Sequence, residues 1–289
     1  MRASFCGLGN MGAPMAERLV DAGLECTVWN RSRPGADRLA ARGATVAHSP
    51  AEAAAGAEVT VTMLTDAAAL EEVVFGPAGI SEGLRAESVL VDMSTVGPEA
   101  ARSAASRLPR SVGFVDAPVK GGPAKAAAGE LRILVGGAAD DVARAGPVLG
   151  ALGTWTHLGP VGTGAAAKVL NNYAVITLVS VLGEAVALAD ALGLDEELVL
   201  GVLSRTPLAA SADRQWPRVT GERASFKLRL AAKDLALGLE AAKAGGRDLP
   251  LGAVALRRLR EAERTGLGDE DQARVVAVIR AARGAQLGT

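Results

Sequence analysis

Two polar residues in the stretch "GTGAAAKVLNN" (162–172), Lys168 and Asn172, have the types and spacing to do chemistry. They are i and i+4 of a helical pattern and therefore share one face. The helix around them is apolar, and polar groups buried without partners are costly. One reading is a hydrogen-bonded pair in a core. The other is a desolvated lysine amine that exchanges a proton with a small molecule, held by an asparagine amide. Two further stretches offer groups to such a molecule. "DMSTVGP" (92–98) carries the hydroxyls of Ser94 and Thr95, and "DAPVKGGP" (116–123) carries Lys120 before Gly121 and Gly122. Both follow strand-like runs, and open α/β sheets bind ligands at the C-terminal ends of their strands.

A third stretch binds rather than reacts. "GLGNMG" supplies Gly7, Gly9 and Gly12, with Leu8, Asn10 and Met11 between them, after an apolar run and before a helical pattern. That context seats a dinucleotide pyrophosphate on a helix N-terminus. An NAD site usually has an acidic residue about 20 positions further on, bonded to the ribose 2′-hydroxyl. Here "VWNRSRPG" puts Asn30 in that slot, followed by Arg31, Ser32 and Arg33. Two guanidiniums and a hydroxyl suit a 2′-phosphate, so NADP(H) is expected over NAD(H). The competing reading makes both arginines solvated loop charges. Met63 and Leu64, closing the strand expected at 59–64, join the cofactor set.

The elements that must position these groups change character along the chain. Valine-rich strands are expected at 59–64, 88–93 and 112–117, with others at 25–30, 131–137 and 154–159. Helical patterns at 11–22 and 34–42 separate the first of them. From Ala165 to about Leu192 runs one long apolar helical stretch, expected to be buried on most sides, against the sheet domain or a second subunit. Further helices are expected at 195–204, 211–221, 226–245, 250–265 and 268–284. The fold expected is α/β: an N-terminal Rossmann-type, doubly wound, mostly parallel sheet (1–162) followed by an all-helical C-terminal domain (163–289).

Composition narrows the classes. The 289 residues carry a formal charge of −1 and no basic run, which argues against nucleic acid as partner. Cys6 and Cys26 lack metal or redox spacing and fall in strands, so they are expected as buried core residues. His48 and His157 sit in no motif, so no metal site is expected. The start goes straight into a strand, and the longest unbroken apolar run, 173–183, is short of the roughly 20 residues of a membrane helix. A soluble cytoplasmic protein is expected.

Taken in order, "GLGNMG", "DMSTV", "DAPVKGG", "GTGAAAKVLNN" and "AAKDLAL" (231–237) resemble the β-hydroxyacid dehydrogenase family of the 6-phosphogluconate dehydrogenase superfamily. The resemblance spans nearly the whole chain. It implies a Rossmann domain plus a helical domain, assembled as a homodimer or homotetramer. It also implies Lys168 as general acid/base, Asn172 as a substrate-orienting amide, and the "VKGG" turn as a backbone cradle for a substrate carboxylate. Lys233 would lie near the nicotinamide, and the partner would be a small, anionic molecule. "NR" at 30–31 resembles the NADP-using branch.

Lys120 departs from the pattern, which has serine there. It could pair with a substrate acid group, fold outward, or fill the pocket and favour a bulkier or neutral substrate. Trp216 and Phe226 stand between pocket wall and core. Lys233 beside Asp234 could equally be a surface ion pair of little value. Two other functions remain: an imine reductase-like enzyme, which would carry Asp or Tyr in place of Lys168, and a non-catalytic NADP-binding module, which would tend to lose that lysine.

Overall fold

The computed structural model describes residues 1–219, 221 and 224–282. It divides into two compact units, Met1–Lys168 and Val169–Thr289.

The first unit is built on nine strands: β1 (Arg2–Cys6), β2 (Glu25–Trp29), β3 (Thr45–Val46), β4 (Val59–Thr62), β5 (Val89–Asp92), β6 (Gly113–Asp116), β7 (Val119–Lys120), β8 (Leu131–Gly137) and β9 (Gly153–Gly159). Their order is β3-β2-β1-β4-β5-β6-β8-β7, with β9 on β8. The first six are parallel and wound outward from β1 in both directions, as in dinucleotide-binding folds. Every residue of β4, β5 and β6 is buried. This is why these segments read as continuous valine-rich runs rather than as alternating patterns.

The crossovers are the helices α1 (Gly12–Asp21), α2 (Arg33–Ala40), α3 (Pro50–Ala54), α4 (Ala67–Phe75), α5 (Ile80–Gly83), α6 (Pro98–Arg107), α7 (Pro123–Ala128) and α8 (Ala139–Leu152). One core, with Phe5, Met15, Val115, Ile133 and Leu149, fills one face of the sheet. A second, with Cys6, Leu70, Leu90, Phe114 and Ala165, fills the other. Both cysteines are buried, and burial pushes each thiol up to about 12, so neither is a nucleophile at neutral pH. The sheet is mixed at one end, where β8 runs antiparallel to both β6 and β7.

Helix α9 (Thr163–Ala191) starts in the first unit and continues into the second. Among the described residues the helices that follow are α10 (Glu196–Leu203), α11 (Ala209–Val219), α12 (Leu228–Ala244), α13 (Pro250–Ala262) and α14 (Val275–Ala281). Ile176 and Val179 of α9 pack with α12 and α13, and Leu182, Val186 and Ala189 pack with α10 and α11. In the single chain one flank of α9 is exposed, with Leu170 at 70% and Leu188 at 61%. The membrane expectation needs correcting. At 29 residues, the helix is long and apolar enough, by length and composition alone, to cross a membrane. The short run at 173–183 underestimates it because alanines and valines continue the apolar character past Glu184.

The helix expected over 268–284 is also different, and its last two positions lie outside the described residues. A π-turn (Glu263–Leu267) and a 3₁₀ turn (Gln272–Arg274) precede α14. Buried Asp271 turns the chain here, accepting from the backbone N–H groups of Ser225, Phe226 and Ala273.

Candidate active site

The glycine loop leaves β1 and enters α1. Gly7 has φ +102°, and a Cβ there would stand 2.5 Å from the Met63 carbonyl and 2.9 Å from Leu64 Cδ2. A Cβ on Gly12 would lie 1.8 Å from the Gly7 carbonyl oxygen, whereas one on Gly9 would meet nothing within 4 Å. The loop is thus closed against Met63 and Leu64 on one side and open at Gly9, where Asn10 is exposed too. No side chain caps the start of α1. A tight turn, an open backbone edge and an uncapped ten-residue helix fit a dinucleotide pyrophosphate.

Asn30 ties the end of β2 to this loop. Its Oδ1 accepts from Leu8 N at 2.9 Å, and its Nδ2 donates to Ser32 O at 2.8 Å and Ser32 Oγ at 3.0 Å. Arg31, Ser32 and Arg33 are exposed beyond it, with Arg33 3.7 Å from Asp37 in a solvated pair of little value.

At the far ends of β5 and β6 stand two buried aspartates in register, Asp92 and Asp116. Asp92 Oδ1 accepts from Thr62 Oγ1 and Ser94 N, and Ser94 Oγ in turn accepts from Leu64 N at 2.8 Å. Ser94 is therefore buried, and its hydroxyl oxygen joins two strand ends, while Thr95 beside it is half-buried. Asp116 accepts from Gly162 N and Ala165 N, each at 2.7 Å, and so fixes the entry and first turn of α9. Burial pushes the Asp116 carboxyl up to about 6, with the negative charge of Asp92 adding to the rise and the backbone donors opposing it.

That turn delivers Lys168. Its Nζ donates to the Val119 carbonyl at 2.8 Å. The contact follows from the ladder. Leu134 N donates to Pro118 O, so residues 118 and 120 face β8 and Val119 turns its carbonyl to the open edge. The lysine amine thus sits one residue before Lys120, Gly121 and Gly122. Gly121 has φ +137°, a conformation that favours glycine.

In the second unit, Asn172 is buried. Its Nδ2 donates to Asp234 Oδ2 at 2.6 Å, and its Oδ1 accepts from Asn171 Nδ2 at 3.0 Å. Lys233 Nζ stands 2.9 Å from the other Asp234 oxygen, a charge contact without hydrogen-bond alignment. Asp234 is 3% exposed, so the Lys233–Asp234 pair is not the surface pair that "KDL" allowed. Trp216 packs among the second unit's apolar side chains and donates its Nε1–H to Glu196.

Two functional-looking groups escape a sequence reading. Asp116 meets its partners 46 and 49 residues away, and Asp234 meets Asn172 across 62. Their nearest sequence signal is membership of "DAPV" and "KDL", which says nothing of those partners.

Residues 2–162 match the family described as the NAD binding domain of 6-phosphogluconate dehydrogenase. Residues 162–279 match the one described as NAD-binding of NADP-dependent 3-hydroxyisobutyrate dehydrogenase. The chain is 33% identical over 287 residues to the 3-sulfolactaldehyde reductase of Escherichia coli (strain K12), covering 97% of this chain and 96% of that protein. It is 35% identical over 281 residues to the NAD-dependent L-serine dehydrogenase of Pseudomonas aeruginosa, covering 93% and 94%. A solved structure of Mycobacterium tuberculosis 3-hydroxyisobutyrate dehydrogenase with L-serine matches with a TM-score of 0.88 and 31% identity, covering 97% of this chain and all of that one.

Proposed function

The chain belongs to the β-hydroxyacid dehydrogenase family, a family of nicotinamide-dependent oxidoreductases, and on that premise we propose that it is an NADP(H)-dependent reductase of a small, acid-bearing aldehyde or ketone. The observation that carries this reading is the Lys168 amine held on the Val119 carbonyl, directly before the Lys120-Gly121-Gly122 turn. When bound, the nicotinamide supplies the hydride. The chain's own residues supply the rest. As the substrate carbonyl oxygen gains negative charge, Lys168 as ammonium gives it a proton, and in the oxidative direction the neutral amine takes that proton back. The Gly121–Gly122 backbone holds the substrate acid group. Within the second unit, Asp234 fixes the Asn172 amide. The relative acting on sulfolactaldehyde supports an acid-bearing carbonyl as the substrate class.

Kinship does not choose the cofactor, since one relative is NAD-dependent. The preference for NADP(H) rests on Asn30, a neutral residue where a carboxylate would repel a 2′-phosphate, and on Arg31, Ser32 and Arg33 around it. The test follows the loss of reduced-nicotinamide absorbance with acid-bearing semialdehydes, using NADPH and NADH in turn. The wild type is expected to prefer NADPH, and Asn30→Asp to lower that preference by about tenfold or more. An NADPH/NADH efficiency ratio near one in the wild type would sink the preference.

The proposal extends to assembly. Leu170, Leu178, Val181 and Leu188 fall on one flank of α9 at about 100° per residue and are exposed. Covering them in a homodimer, or a tetramer of such dimers, would bury a continuous apolar stripe. Sedimentation equilibrium should give at least twice the chain mass, and a monomer at micromolar concentration would refute this.

A further inference from the structure

Lys120 and Arg132 are directly opposed across β7 and β8. Val119, Leu131, Ile133 and Val135 point into the core beneath the sheet. Strand alternation therefore puts Lys120 and Arg132 on the other face. That face also carries the Asp116 carboxylate and the first turn of α9. A Cβ on Gly164 of that turn would lie 2.3 Å from the carbonyl of Leu134, two residues along β8 from Arg132. Both cations thus lie on the sheet face from which α9 brings Lys168 to Val119.

Opposed like charges on a sheet face are destabilising, and here nothing among the described residues offsets them. Among the described residues, neither Lys120 nor Arg132 has an ion pair or a side-chain hydrogen bond. The carboxylates nearest in sequence do not serve. Asp116 is taken by the α9 backbone, and Glu130 forms no ion pair among the described residues. Lys120 is half-buried and Arg132 exposed, so an arriving anion can reach both. A local rule broken without internal compensation is the mark of a site that an outside group completes.

We infer that Lys120 and Arg132 form a two-cation clamp for a doubly charged tetrahedral acid group, a phosphonate or phosphate, on the carbonyl substrate. The inference rests on the proposed reductase reading and names the substrate class of that same site. Cross-strand Cβ atoms stand about 5 Å apart, which lets one ammonium and one guanidinium grip different oxygens of a single tetrahedral group. A monocarboxylate offers one charge to two cations, and a neutral carbonyl offers none.

The test has a binding arm and a turnover arm. Phosphonoacetate binding is measured by calorimetry for the wild type, Lys120→Ser, Lys120→Arg and Arg132→Gln. Loss of either charge is expected to weaken binding about tenfold, the worth of one charged hydrogen bond, while Lys120→Arg retains most of it. Equal affinities across the four proteins would overturn the clamp, whether or not any carbonyl is reduced. In the turnover arm, kcat/KM is compared for phosphonoacetaldehyde, succinic semialdehyde and butanal. The clamp predicts a loss in Lys120→Ser that is largest for the phosphonate and smallest for butanal. The same fractional loss for all three would overturn it. Failure of every carbonyl to react, with phosphonoacetate still bound in a Lys120-dependent way, would overturn the reductase reading and uphold the clamp.

Discussion

Replacing Lys168 by alanine is expected to lower kcat by about 100- to 10,000-fold, the usual worth of a positioned general acid. NADPH affinity should stay near the wild-type value, because the hydrogen bond seen for Lys168 goes to the Val119 carbonyl beside the proposed substrate turn. Lys168→Arg separates proton transfer from charge. A guanidinium can keep a donor to Val119 and a positive charge, but it does not give up its proton at accessible pH. Turnover should therefore fall in both variants, whereas a merely positioning lysine would be rescued by arginine. Steady-state rates and a fluorescence titration of NADPH give the two readouts. Wild-type-like turnover in Lys168→Ala would remove the lysine from the chemistry.

The second large effect is on stability. Asp116→Ala would strip the acceptors from two buried N–H groups at the start of α9, at a cost of about 2–4 kcal/mol. Asp116→Asn keeps one acceptor oxygen and should lose less. The pH dependence has a definite sign. The folded carboxyl titrates near 6 against an ordinary 3.8, so the folded state binds the proton more tightly than the unfolded chain. Its contribution is fully present below 3.8 and is lost as pH rises through about 6. Relative to Asp116→Asn, the wild type should gain on the order of 2–3 kcal/mol on acidification through that window. Urea melts of both proteins at several pH values measure this. A constant difference across the window would show that Asp116 titrates normally.

Much of this architecture was legible because it is local. The glycine spacing at 7, 9 and 12 and the buried valine strands each lie within a short window, and the long helix α9 was legible from its unbroken run of apolar residues without proline. Lys168 and Asn172 were legible for the same reason, four residues apart on one helix. What escaped is set by distant partners. Two-residue β7 is a strand only because β8 returns antiparallel beside it. Asp116 looks like part of a substrate turn until Gly162 and Ala165 arrive. Asp234 looks like a surface charge until Asn172 buries it. The helix expected over 268–284 failed because Asp271 is claimed by Ser225 and Phe226, and no helical period records that. The bond from Leu64 N to the Ser94 oxygen also crosses between strand ends, 30 residues apart in the chain.

Helix α9 also decides where this chain can be divided. The border between the compact units falls after Lys168, inside the helix, which begins at Thr163. A cut at that border would sever hydrogen-bonded turns and strand the lysine at a fraying end. A recombination that keeps the helix whole must join the halves before Thr163. Lys168 then travels with the helical half, although it folds against the sheet. Grafting a different helical half onto this sheet would import a new residue at position 168 together with a new Asn172, leaving Lys120 and Arg132 behind. The proposed proton donor and the proposed acid clamp are thus inherited separately, which lets one be exchanged while the other is kept.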